Sequence, residues 1–257
     1  MTPHAPVHYS KFFCLLLSLV LIGGVGCSRT TLSPEELEAA SQETVVWLQQ
    51  KYGFIQLKGA AKMFRRISTR LSDSLKSLEM ADELQIADRY TILVLNHNEP
   101  NAFSLGAGKI VVTRGLFAAL TTEAEFAAVV AHEMAHDALT HHQRALTDLV
   151  ERPENQTPQF SFFLEEEKQA DLLGLGIMRQ AHYDLRYALS AFTLVYRPEN
   201  QTVALTEESW WEKRAATLKR LIQDGEHFLP ATENTREFTR LRARFIGQSA
   251  EMMSWLK

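Results

Sequence analysis

The sequence predicts an α+β chain, predominantly helical, with one small sheet placed just before a helix that carries paired histidines. Three observations predict it. Apolar residues at helical spacing run from Ile55 to Leu78 and recur in the second half of the chain. A β-type pattern replaces that spacing only between Tyr90 and Thr113. Two capping boxes, Ser33-Pro34-Glu35-Glu36 and Thr122-Glu123-Ala124-Glu125, open helices on either side of the β-type stretch.

Taken in order, Ser33 caps a helix that has Pro34 at its first position and runs to about Tyr52. With Ile55 to Leu78 it makes an N-terminal helical part over 33–80. Tyr90 to Leu95 reads as a short strand. Ala102 to Leu105 and Lys109 to Thr113 flank Gly106-Ala107-Gly108, a hairpin-like turn. The helix opened at Thr122 runs through His132 and His136, and further helices are expected at about 161–180, 184–196, 206–223 and 234–254. Residues 27–257 thus read as one domain, with a central part at about 88–225 and a C-terminal helix at about 234–254.

Of the 257 residues, 46% are hydrophobic and 23% charged, a composition sufficient for one good-sized core. A net charge of −4 leaves no electrostatic footprint for nucleic acid. Arg65, Arg66 and Arg70, and Arg236 to Arg244, read as solvated helix faces. Lys11 precedes an apolar stretch, Phe12 to Ile22, too short to span a bilayer comfortably, so residues 1–26 read as a signal peptide. Gly24-Val25-Gly26-Cys27 resembles the bacterial lipobox, although Gly24 stands where Leu is usual. The resemblance implies that Cys27 is lipidated and becomes the mature N-terminus, anchoring the protein to a membrane. Ser28 after it implies the outer membrane of a bacterial cell envelope, facing the periplasm. An ordinary signal peptide or an uncleaved anchor is the alternative. Cys14 lies in the removed segment, so no cysteine pair remains and the fold must hold without disulfides. The hexapeptide Arg-Pro-Glu-Asn-Gln-Thr occurs at 152–157 and again at 197–202, each copy with a glycosylation sequon that a bacterial lipoprotein rarely uses; it has no functional account.

The chemistry concentrates at His132-Glu133-Met134-Ala135-His136. Positions i and i+4 of a helix share a face, so the two imidazoles can reach one zinc ion. Glu133 lies about 100° around the helix, beside the metal, where a general base takes a proton from the attacking water. Phe126, Ala127, Val129, Val130, Ala131 and Ala135 make nearly the whole helix apolar, and buried imidazoles without a partner are costly, a cost that a metal resolves. Two surface histidines on an amphipathic helix fit these neighbours less well. A third ligand should come from another element. His141 and His142 suit the helix end or a supporting place better than ligation. Glu165-Glu166-Glu167-Lys168-Gln169-Ala170-Asp171 is the better source, with Glu167 and Asp171 on one face; from spacing alone, Glu166 and a solvated acidic face stay open beside Glu167.

His132 to His136 followed by Glu167-Lys168-Gln169-Ala170-Asp171 resembles the pattern of the HtpX, BepA and CAAX-prenyl-protease family of zinc peptidases. The resemblance implies a zincin-type domain, one Zn2+ per chain, Glu167 as third ligand and Asp171 as its supporting partner. Asn101-Ala102-Phe103-Ser104 and the hairpin after it resemble the family's substrate strand, and His182-Tyr183-Asp184 its next helix start. There are three departures. The usual Pro-Gly-Gly of the hairpin is Gly106-Ala107-Gly108. The stretch between His136 and Glu167 is short. The His-Pro found six residues before a late Arg is missing, since counting back from Arg220 lands on Arg214. An oxyanion stabiliser would then be Arg214, or else Tyr183, His182, Tyr196 or His227.

Two functions follow. In the first, a zinc metalloendopeptidase pairs unfolded or misfolded envelope proteins with the strand Asn101 to Ser104 and cleaves them. In the second, a lipoprotein chaperone holds outer-membrane proteins in the same groove with little turnover. The intact Glu133 favours the first. A zinc-free scaffold with a chance motif is a third, weaker reading.

Overall fold

The computed structural model describes residues 32–56, 59–143, 164–196, 208–224 and 232–254. Residues 1–31 with Cys27, the stretch at about 143–160 beyond Gln143, both hexapeptides and His227 lie outside the described residues. The fold class is as expected from the sequence: mostly helical, with one three-stranded sheet among the described residues.

Helix α1 (Pro34–Lys51) starts with both halves of its capping box made, Ser33 accepting from the Glu36 N–H and Glu36 from the Ser33 N–H. Helix α2 (Ala60–Lys76) is shorter than the periodicity predicts. Phe54 bridges to Leu95 and Ile55 donates to the Val94 carbonyl at 2.8 Å, so strand pairing takes Ile55, where the apolar spacing started the helix.

The sheet has the order β1-β3-β2, with β1 (Thr91–Leu95) parallel and β2 (Ala102–Ser104) antiparallel to β3 (Lys109–Thr113). Among the described residues, the other edge of β2 pairs with no strand. The turn between β2 and β3 is left-handed at Gly106, Ala107 and Gly108. At Gly108 a Cβ would fall 2.3 Å from the Arg89 carbonyl oxygen, so only glycine lets the hairpin close against the approach to β1. A six-residue helix, α3 (Arg114–Ala119), follows β3 directly, capped by the Thr113 hydroxyl; its length is too short for periodicity to announce it.

Helix α4 (Glu123–Ala138) is buried along all sixteen residues. Its second capping box is also complete, with Thr122 accepting from the Glu125 N–H at 3.1 Å. Helices α5 (Leu164–Gln180) and α6 (Arg186–Tyr196) pack on one side of it, β2 and β3 on another, and α2 beside them. Helix α7 (Glu208–Asp224) rests on α5 and α6, and α8 (Arg236–Ser254) on α2 and α3. Phe64, Phe117, Phe126, Phe238 and Phe245 meet near the start of α4, mostly edge to face. The polar residues of α4 are thus carried into the centre of the core by a helix with no solvent face.

Candidate metal centre

One helical turn separates His132 and His136, and their Nε2 atoms face each other at 3.0 Å. Glu167 reaches the same point from α5, with Oε2 3.5 Å from His132 Nε2 and Oε1 3.7 Å from His136 Nε2. The three side chains are buried, and one ligand atom from each lies within 4.8 Å of the others. Two imidazole nitrogens turned on each other at this distance need a proton or a cation between them. Two histidines and a carboxylate converging on one point form a donor set for a divalent ion, held at ligand distances of roughly 2.0–2.2 Å. The residues present therefore fit a metal.

Helices α4 and α5 come this close because of Gly174. A Cβ there would lie 3.2 Å from both Cα and N of His132. Glycine lets the backbone of one ligand helix rest on the backbone of the other.

Each ligand is held from behind. His132 Nδ1 meets Asp171 Oδ1 at 3.1 Å, which leaves Nε2 for the metal. His136 Nδ1 meets His141 Nδ1 at 3.0 Å, and His141 Nε2 meets Gln169 Oε1 at 3.1 Å. With His136 Nε2 turned to the metal position, its Nδ1–H donates to His141 and His141 donates onward to the Gln169 carbonyl. Glu167 and Asp171 share one buried guanidinium: Arg214 donates from Nε and Nη2 to Asp171 at 2.6 and 2.7 Å, and its Nη1 lies 2.6 Å from Glu167 Oε2.

The electrostatics follow from burial and these partners. Burial lowers His132, but Asp171 and Glu167 outweigh it and lift the imidazole to about 9. A site that draws an extra proton onto a buried histidine is built for positive charge, and a divalent ion at Nε2 takes that proton's place. Burial raises Glu167, but Arg214 and the histidines outweigh it and hold the carboxyl at about 2, ionised and ready to bind metal. Burial, with the His132 and His141 charges, pushes His136 well down.

Glu133 stands beside the ligands. Burial pushes its carboxyl up to about 7, with the Glu167 charge adding to the rise and His132 opposing it. The nearby Ser104 backbone of β2 favours its charged form, against the rise, and its Oε2 is buried with no hydrogen-bond partner among the described residues.

The strand Asn101 to Ser104 runs along this side of α4. The Asn101 carbonyl accepts from the Thr113 N–H at 2.9 Å, and the Leu105 N–H donates to Lys109 at 2.8 Å, so the main-chain groups of Ala102 and Ser104 face the unpaired edge. Asn101 Oδ1 takes the Ala102 N–H at 2.9 Å. The side chains of Ala102, Phe103 and Ser104 are buried, so this edge presents backbone and little else.

Two expected oxyanion stabilisers are corrected by their surroundings. Arg214 is 1% exposed, and its guanidinium is aimed at Asp171 and Glu167, behind the ligands. Tyr183 is at the other end of α4, donating its hydroxyl to Glu123 at 2.8 Å. His182 is exposed in a left-handed backbone conformation, and the Tyr196 side chain is not among the described residues. Arg220 is exposed, whereas Arg214 is the arginine in the site. Counted back from Arg214, the position six residues earlier is Glu208, the first residue of α7.

Two buried groups escaped the sequence reading. Asp137 is one turn from Glu133 on a helix with no solvent face, a signal that the i,i+4 spacing on an apolar helix does contain. Glu123 is fully buried and held by both terminal nitrogens of Arg66 at 2.7 Å, by Tyr183, and by the Thr235 hydroxyl. As part of a capping box it read only as a helix start.

Residues 65–153 match the profile of Peptidase family M48. The chain is also 31% identical over 121 residues to the mitochondrial metalloendopeptidase OMA1 of Arabidopsis thaliana, a match covering 40% of this chain and 25% of that protein. The chain thus spans about a quarter of the length of the curated relative it matches. Both similarities are to metallopeptidases, in line with the resemblance that the motifs carry. The family match takes in the sheet and both histidines and stops before Glu167, whose place at the centre rests on the geometry.

Proposed function

We propose that this chain is a zinc-dependent metalloendopeptidase. The observation that carries the reading is the convergence of His132, His136 and Glu167 with a buried, partly unsatisfied Glu133 beside them and a strand edge alongside. A bound zinc ion supplies Lewis-acid polarisation of the scissile carbonyl and of water. Glu133, placed beside the ligands and raised to about 7, takes the proton of the attacking water and delivers it to the departing amine. Asp171 and His141 hold the ligand imidazoles in the tautomer that leaves Nε2 for the metal.

The substrate is an extended segment. The backbone edge formed by Ala102 and Ser104 can pair with a peptide that adds a strand, the Ala102 N–H exchanging its bond to Asn101 Oδ1 for one to the peptide, so selection falls on unfolded chain more than on side-chain identity. Unfolded or misassembled proteins of the cell envelope are the substrates that fit this edge together with the lipobox-like Cys27, which anchors the enzyme to the outer membrane on its periplasmic face. Incorporation of labelled fatty acid that vanishes in Cys27→Ala supports the anchor; equal labelling of both chains refutes it.

The mature chain loaded with zinc is expected to cleave casein-like unfolded substrates. Glu133→Gln is expected to keep one metal ion per chain and lose cleavage. Full activity in that variant sinks the assignment. Metal-bound wild type that binds unfolded outer-membrane proteins without cutting them establishes the chaperone reading instead.

A further inference from the structure

Asp137 is 3% exposed and is not one of the three ligands. It collects the ends of all three strands. Its Oδ1 accepts from the Ser104 hydroxyl at 3.2 Å at the last residue of β2. Its Oδ2 accepts from the Gly108 N–H at 3.3 Å, just before β3. The buried Tyr90 phenol, just before β1, lies against the same carboxylate, and burial together with that charge pushes it well up.

Ser104 is thereby tied to the metal-site helix. Its backbone lies beside Glu133, whose charged form it favours, and Asp137, one turn further on, takes its hydroxyl. The Ser104 hydroxyl also accepts from the Gly106 N–H at 3.1 Å, which ties the turn to the same point. β3 holds one edge of β2, and Asp137, bonded to Ser104 at the end of β2 and to Gly108 just before β3, fixes that pair of strands against the metal helix.

We propose that Asp137 is a positioning residue for the peptide substrate: acting through Ser104 and Gly108, it sets the register of β2 against α4, so that a peptide added to the strand edge presents one bond to Glu133 and the metal. The inference rests on the peptidase reading, and it adds a residue to which that reading gives no role. Asp137 touches neither ligand nor substrate. Its loss acts on how a peptide is held, while the ligand set stays intact.

The test compares wild type, Asp137→Asn and Ser104→Ala, each zinc-loaded, on one unstructured peptide long enough to pair with β2 and on one too short to do so. Losing a buried hydrogen bond to a carboxylate should raise KM for the long peptide about tenfold or more, with a smaller change in kcat. The short peptide, which takes nothing from the strand, should show much less change, and zinc content should equal that of wild type. Amide hydrogen exchange on the same three proteins should show faster exchange at 101–109 with protection at 123–136 retained. Unchanged exchange at 101–109 in both variants overturns the proposal, as does an equal loss on long and short peptides. If wild type cleaves neither peptide while the exchange pattern shifts as stated, the peptidase reading fails and the pinning of β2 stands.

Discussion

Arg214 and Asp171 are joined at two points deep in the protein, Nε to Oδ2 at 2.6 Å and Nη2 to Oδ1 at 2.7 Å, and the same Oδ1 meets His132 Nδ1 at 3.1 Å. A guanidinium contributed by α7 therefore determines how a carboxylate on α5 orients an imidazole on α4. Only a planar fork makes both bonds and still reaches Glu167 with its third nitrogen. Arg214→Lys keeps the charge and loses the fork. It should weaken zinc binding about 10- to 100-fold, read by competition with a chromogenic chelator. Zinc affinity equal to wild type would show that Asp171 holds His132 without help.

His141 is the corresponding support for His136, and its own far nitrogen is fixed by Gln169. Replacing it with Phe preserves bulk and removes the acceptor. The expected outcome is again about a 10- to 100-fold loss of zinc affinity at an unchanged fold by circular dichroism. A wild-type affinity would mean that the His136 tautomer is set elsewhere.

Glu133 must be ionised to act as a base, and burial places its carboxyl at about 7. A bound divalent cation favours the ionised form and moves this value downward. The kcat/KM of the zinc enzyme should therefore fall as pH decreases, with an acidic limb whose apparent pKa lies at or below about 7. Glu133→Asp should lower kcat/KM and shift that limb. An acidic limb that Glu133→Asp leaves unmoved excludes Glu133 as the titrating base.

Glu123 closes the other end of α4. Burial raises its carboxyl, but the bonds from Arg66, Thr235 and Tyr183 outweigh it and hold the group below the ordinary value of 4.5. The sign follows: the stability it contributes is present above the unfolded value and is lost as pH falls through the depressed folded value. Glu123→Gln should cost about 2–4 kcal/mol at neutral pH, by urea unfolding. The penalty should shrink in acid, where the wild-type carboxyl is itself protonated. A variant as stable as wild type at pH 7 would leave this cluster without energetic weight.

How much of this was readable beforehand differs from residue to residue. His132, Glu133 and His136 are legible because helical spacing alone places them, and α4 is legible because its capping box marks the start. Glu167 is half legible: spacing narrows it to an acidic helix, the resemblance of its motif picks it out, and packing across Gly174 brings it to the two histidines. Arg214 has no local sign. It lies in a helix whose bond to Asp171 crosses 43 positions, and its role depends entirely on tertiary placement. Helix α2 starts later than the spacing predicts because Ile55 carries the same apolar signal whether it faces a helix bundle or pairs with β1. Asp137 was overlooked because a carboxylate following a histidine draws no attention until three strand ends are seen to gather on it.

The contact at Gly174 has one more implication. The width of the cleft between α4 and α5 is gauged by a single missing methyl, since the space for it is already 3.2 Å from the His132 backbone. Ionic size enters the protein through that gauge: zinc sits at roughly 2.0–2.2 Å from oxygen and nitrogen, calcium at roughly 2.3–2.6 Å. Gly174→Ala, by wedging the helices apart by a few tenths of an ångström, should tilt a competition titration toward the larger ion. Metal choice would then be dictated by how tightly two backbones nest, with the identity of the coordinating side chains held constant.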